Sequence, residues 1–280
     1  MVRVRYSFGS RHTGRIENIK KQRGKYPDVM KKVIDISDII LEILDARYIE
    51  ETRNTKIEES IKEKGKKIIY VLNKCDLVNV NLVERKLPKD MKPYVFVSAT
   101  KRTGSKDLRD KVKIEAKRVD LGEHMTRVHV GIVGYPNSGK SSIINLITRR
   151  GVTGTSKQAG HTKGMQKVRM SDKILILDTP GVIPEEEYST DKRSKLFQDA
   201  KVGARTYSDV KDPEDVVDFL MKTHAKRIEK YYKIEAKGDS EFLIEEFGKQ
   251  KNFLKKGGVV DLDRASRLIL KDWQEGKIKA

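Results

Sequence analysis

Only one cysteine, Cys75, occurs in the 280 residues. The chain therefore cannot close a disulfide on itself or assemble a cysteine zinc site, and a reducing cytoplasm is the expected location. No stretch approaches the ~18 consecutive apolar residues of a membrane span. The opening MVRVRYSFGS lacks the apolar centre of a secretion signal. Neither membrane insertion nor secretion is expected. Aromatic residues are scarce at 6%, too few to stack on many nucleobases. Acidic residues are also in deficit, 41 against 60 Lys and Arg, which leaves a formal net charge of +19.

That charge is clustered. Residues 1–35 hold ten Lys and Arg against three Asp and Glu, and residues 149–173 hold seven against one. Residues 101–127 hold nine against five, whereas 201–280 are nearly balanced at eighteen against fifteen. A uniformly basic solvated surface is the plain alternative, but clustering like charges costs self-repulsion that a polyanion relieves. With so few aromatics, the expected partner is a structured nucleic acid read through its backbone.

Hydrophobic content of 37% beside 36% charged residues fits a folded soluble chain. Residues 1–30 read as a basic arm, 31–200 as an α/β domain and 201–280 as a helical domain. Apolar runs at 39–44, 68–72, 94–97, 128–133 and 174–177 read as strands, with helices near 53–64, 105–118 and 140–148 between most of them. Continuous apolar strands separated by helices predict a mostly parallel sheet covered on both faces. MQKVRMSDKILILD reads differently, as an antiparallel edge hairpin turning at Ser171-Asp172. From Pro213 the spacing is helical, and Trp273 falls on an apolar helix face as core.

Four short motifs carry the chemistry. GYPNSGKS, from Gly134, matches the phosphate cradle G-x-x-x-x-G-K-[ST] and lies between a strand and a helix, the context it requires. Its phosphate-facing set is Asn137, Ser138, Gly139, Lys140, Ser141 and Ser142. Lys140 should reach the β and γ phosphates and the Ser141 hydroxyl should bind Mg²⁺. Asp178, in LDTPG, should hold the same Mg²⁺ through water, with the Gly181 N–H sensing the γ phosphate. Thr162, in AGHTKG, is the candidate for a second Mg²⁺ hydroxyl. NKCD, Asn73 to Asp76, ends another strand. The Asp76 carboxylate can accept from both N1–H and N2–H₂ of guanine, a donor pair adenine lacks. Asn73 steadies the other base edge or the loop, the Lys74 stem covers the base, and VSAT supplies Ser98 and the Ala99 N–H for guanine O6.

In most GTP-binding proteins the cradle comes first and N-K-x-D and S-A follow. Here N-K-x-D and S-A come first, then the cradle, the threonine loop and D-x-x-G. The cyclic order is intact and only the cut has moved. In a parallel sheet all these loops share one rim, so such a cut leaves the site whole.

With ILDARYIEETRN at 43–54 and FLKKGGVVDLDRASRLILKDWQEGKI at 253–278, this order resembles the circularly permuted ribosome-biogenesis GTPases of the YlqF type. The resemblance spans nearly the whole chain. It implies a permuted P-loop GTPase domain with a small C-terminal all-α domain, acting on the large ribosomal subunit through rRNA. It also implies GTP hydrolysis that is slow alone and stimulated by the subunit. Asn137 resembles the asparagine through which related GTPases hold K⁺; as a residue following Pro136 it equally suits a turn. The catalytic group is open: bacterial members carry an N-terminal H-M-x-K-A that this chain lacks, His12 is a weak candidate, and Val182 stands where many GTPases carry a water-orienting Gln. An RNA-binding placeholder with GTP as a structural ligand is the alternative. Nothing demands more than a monomer.

Overall fold

The computed structural model describes residues 26–121, 126–148, 166–178 and 192–278. Six strands make one sheet: β1 (Ile39–Asp45), β2 (Lys67–Asn73), β3 (Tyr94–Phe96), β4 (Val128–Val133), β5 (Gln166–Ser171) and β6 (Ile174–Asp178). Their order is β3-β2-β1-β4-β6-β5. Every neighbouring pair is parallel except β5 with β6. Central β1, IILEILD, is buried at every position, as a strand covered on both faces must be. Edge strand β5 alternates, with Lys167 and Arg169 exposed around buried Val168. The hairpin turns at Asp172-Lys173, one residue later than the sequence suggests, because Ser171 still pairs with Ile174.

Period-two alternation sends β1 side chains to two cores. Ile40 and Leu44 pack with Ile61 and Tyr70 beneath α1 (Tyr26–Ile36) and α3 (Thr55–Glu63). Leu41 and Ile43 pack with Leu108, Val112 and Ile143 beneath α5 (Ser105–Ala116) and α6 (Lys140–Thr148). Each fully buried Leu or Ile contributes about 1.5–3 kcal/mol. α1 begins inside the expected basic arm, and Met30 packs against the first of these cores, so the sheet domain reaches back into that segment. Short α2 (Ile49–Thr52) and α4 (Val80–Lys86) complete this half.

A third core joins α7 (Lys192–Val202), α8 (Pro213–Tyr232), α9 (Ser240–Gln250) and α10 (Leu262–Gln274) around Leu220, Ile228, Phe247, Ile269 and Trp273. Pro213 opens α8, where its missing N–H costs nothing. Asp239 and Asp261 cap α9 and α10 by accepting from the N–H groups of Phe242 and Arg264. α8 kinks at His224, whose ring lies 4.8 Å from that of Trp273. No described helix is long and apolar enough to cross a membrane.

Candidate nucleotide site

The sheet order sets the site. β1 leads outward to β2 and β3 on one side, while β4 leads to β6 on the other, so the C-terminal ends of β1 and β4 flank the point where the strand order reverses. Such a switch point opens a crevice at the C-terminal rim. Gly134 follows β4, Asn73 ends β2, Ser98 lies just beyond β3 and Asp178 ends β6. Four motifs that are far apart in the chain therefore meet on one rim.

The cradle runs from Gly134 to the start of α6. Gly139 is at φ +100°, and a Cβ there would overlap Asn73 Nδ2, so glycine lets the two motifs touch. Lys140 is buried, and its Nζ donates to the carbonyls of Gly134 (2.9 Å) and Tyr135 (2.8 Å). Burial lowers its pKa from 10.5 to about 8, against the opposing charge of Asp178. Ser141 and Ser142 lie in the first turn of α6, half-buried. Asp178 is fully buried. Among the described residues no three His, Cys, Asp or Glu side chains cluster into a metal cage. The candidate donors are the buried Asp178 carboxylate and the Ser141 hydroxyl, hard oxygens that suit Mg²⁺ completed by phosphate oxygens and water. His12, Thr162, Gly181 and Val182 lie outside the described residues.

Asn73 is the stitch between the two halves. Its Nδ2 donates to Ser138 O (2.8 Å), and its Oδ1 accepts the Ala99 N–H (3.2 Å). Of the two roles the sequence allows Asn73, the structure shows loop fixing. The Ala99 N–H, which the sequence aims at guanine O6, is bonded to the Asn73 side-chain carbonyl in the half-buried loop. Lys74, at φ +61°, sends its Nζ to Asp45 Oδ2 (2.7 Å), which fixes the head of the side chain on β1. Asp76 is exposed on the short 3₁₀ turn Cys75–Leu77. Ser98 is buried and its Oγ accepts the Lys101 N–H (3.0 Å), holding the loop.

Sequence reasoning missed the support behind this half. Arg47 donates through Nε and Nη2 to Asp45 (3.0 and 2.8 Å) and through Nη1 to Trp273 O (3.2 Å). Burial alone would raise the Asp45 pKa, but the Lys74 and Arg47 charges hold it at about 2. Asn137, at φ +58°, takes the turn conformation open to it and donates through Nδ2 to Gly203 O (2.6 Å). A cavity of about 460 Å³ lies between Asn73, Asp76 and Ala99 on one side and Tyr207, Gln274 and Glu275 on the other. The D-A-R of Asp45 to Arg47 is the signal that could have pointed there; Tyr207 and Gln274 carry none.

Known proteins match this arrangement. Solved structures of T. maritima YlqF, GDP-bound and GNP-bound, superpose with TM-scores of 0.62 and 0.64 at 25% identity. The GDP-bound one covers 89% of this chain and 95% of its own; the GNP-bound one covers 91% and 95%. The chain belongs to the circularly permuted GTPases of the YlqF type. A family described as 50S ribosome-binding GTPase matches residues 129–244. That span holds the cradle and Asp178 but leaves out Asn73–Asp76 and Val97–Thr100, as a permuted YlqF-type order requires. An uncharacterized GTP-binding protein of Methanocaldococcus jannaschii is 38% identical over 89% of this chain and 65% of its own. The nuclear GTP-binding protein NUG1 of Saccharomyces cerevisiae is 33% identical over 93% of this chain and 56% of its own. Nucleolar GTP-binding protein 2 of Yarrowia lipolytica is 31% identical over 92% and 51%. The chain thus spans between half and two thirds of the length of these curated relatives.

Proposed function

We propose that this chain binds GTP with Mg²⁺, hydrolyses it slowly by itself, and serves as an assembly factor of the large ribosomal subunit. The observation that carries the reading is the meeting of the cradle, Asp178, NKCD and VSAT on one rim in permuted order. In this reading Lys140 moves from the Gly134 and Tyr135 carbonyls to the β and γ phosphates, an exchange of neutral acceptors for charged ones. Ser141 and Asp178 hold Mg²⁺, which would supply charge neutralisation at the phosphates, and Thr162 and Gly181 complete the γ-phosphate side. Asp76 reads guanine, and Asn73, Lys74, Ser98 and Ala99 hold the loops around it. Asn137 keeps its carbonyl oxygen for a potassium ion while its amide nitrogen holds Gly203.

The basic segments supply the rRNA contact, supported by the +19 net charge and by the ribosome-binding description of the matching family. Occupation of the nucleotide site would then be passed to the helical domain. The test is the steady-state GTPase rate in potassium buffer with and without purified large subunits. A rise of about tenfold or more, ~1.4 kcal/mol off the barrier, is expected. Tight GTP binding without such a rise overturns the enzyme in favour of an RNA-binding placeholder.

A further inference from the structure

The helical domain meets the nucleotide pocket at its base end. Gly276, at φ +72°, stands so close to Leu77 that a Cβ there would overlap Leu77 Cδ1, and Leu77 ends the turn carrying Asp76. From the other flank Lys74 bonds Asp45, Asp45 bonds Arg47, and Arg47 bonds the carbonyl of Trp273. The Gln274 side chain then shapes the wall. Its Nε2 donates to the carbonyls of Ala200 (2.8 Å) and Arg205 (2.9 Å), and its Oε1 accepts the Tyr207 N–H (3.1 Å). Among the described residues the links to the phosphate cradle are Asn137 with Gly203 O and Tyr135 packed on Val202 and Ala204, both on a loop that GDP and GTP fill alike.

We infer that the helical domain is the base-side wall of the nucleotide pocket, with Gln274 as its positioning residue, and that the domain responds to an occupied guanine site rather than to the γ phosphate. This rests on the GTP-binding reading above and names what that site regulates. Guanine entering between Asp76 and the Gln274–Glu275 turn is buried by both domains at once, so its binding energy is shared with docking of α10 against Leu77. Binding and docking then favour each other by the same factor. Because GDP and GTP carry the same base, both hold the wall equally.

The chain contains its own reporter. Trp273 is the only tryptophan; it precedes Gln274, and its Nε1 donates to Lys201 O (3.1 Å). Its fluorescence is followed in the full chain during titration with GDP, a non-hydrolysable GTP analogue, GMP and inorganic tripolyphosphate. Occupancy is measured separately by displacement of labelled GDP in equilibrium dialysis. At saturation GDP, the analogue and GMP should shift the emission equally, while tripolyphosphate that has displaced the label should leave it near the empty value. Gln274→Ala should weaken GDP by about tenfold and tripolyphosphate by less than about twofold, since only the base loses a preorganised wall. Leu77→Ala, which leaves the Gln274 bonds intact, should show the same split at about threefold.

A shift with tripolyphosphate equal to that with GDP overturns the inference, as does a shift confined to the GTP analogue. So does equal weakening of GDP and tripolyphosphate by Gln274→Ala. The two levels of reading fail separately. GDP that does not bind in dialysis removes the GTP-binding reading itself, whereas GDP that binds with Trp273 silent removes only the base-side wall.

Discussion

The two halves of the nucleotide pocket are built by different means. On the base side each fixing side chain already has a protein partner: Asn73 with Ser138 and Ala99, Lys74 with Asp45, Arg47 with Asp45 and Trp273. On the phosphate side the main cation, Lys140, rests on two neutral carbonyls of its own loop. A charged group held by neutral acceptors gains when a phosphate arrives, and a buried network that is already satisfied gains little and mainly keeps its shape. The base side is thus a scaffold and the phosphate side an exchangeable site.

The largest expected effect breaks the phosphate side alone. Lys140→Ala should lower the GTPase rate by about 10²–10³, or ~3–4 kcal/mol of transition-state stabilisation. It should change the melting temperature little, because release of a desolvated ammonium offsets the lost bonds to the Gly134 and Tyr135 carbonyls and the lost attraction to Asp178. Rate and calorimetric scan on the same sample check this; a collapse of the melting temperature would place Lys140 with the scaffold.

Asn73→Ala should do the reverse. It leaves the Ser138 carbonyl and the Ala99 N–H without their buried partner, a cost of about 2–3 kcal/mol. Denaturant unfolding should show it without nucleotide present. A variant as stable as the parent would mean the two loops hold themselves.

The smallest effect sharpens the contrast through pH. With its pKa depressed from 10.5 to about 8 by burial, Lys140 is charged in the empty protein below pH 8, and phosphate binds it with no proton taken up. Above pH 8 the empty protein loses that proton and binding must restore it. GDP affinity should therefore fall by about tenfold, ~1.4 kcal/mol, between pH 7 and pH 9. Calorimetric titrations at both values should show proton uptake at the higher one. Asp45, held at about 2, stays ionised throughout that window, so its own titration should contribute no slope.

How much of this was legible follows from the distance over which each signal acts. The strands were readable because apolar runs such as IILEIL, broken only by Glu42, and IIYVL are local facts. The shared rim was readable because motif residues fall at strand ends. α4 and α7 were not seen: α4 has seven residues, and KRSKLFQDAKV spaces its apolar residues without a clean face. The bond from the Ala99 N–H to Asn73 was not legible, because a motif names a donor but not the acceptor that the fold brings beside it. The wall at Gln274 left no local trace, since Arg47 and Trp273 meet across 226 residues of chain.

That separation also has a consequence for synthesis. Residues 26–121, with Asp45, Arg47 and the Asn73–Asp76 turn, leave the ribosome before the cradle and well before α10. A nascent chain can pair β1 with β2 and β3 early, because those contacts are near in sequence. It cannot seat Arg47 on the Trp273 carbonyl until that distant stretch has emerged. Domains form in the order they are made, so an unfinished copy has the Asn73–Asp76 turn with one side open, and the cavity it shares with Gln274 and Glu275 closes only once translation has passed them.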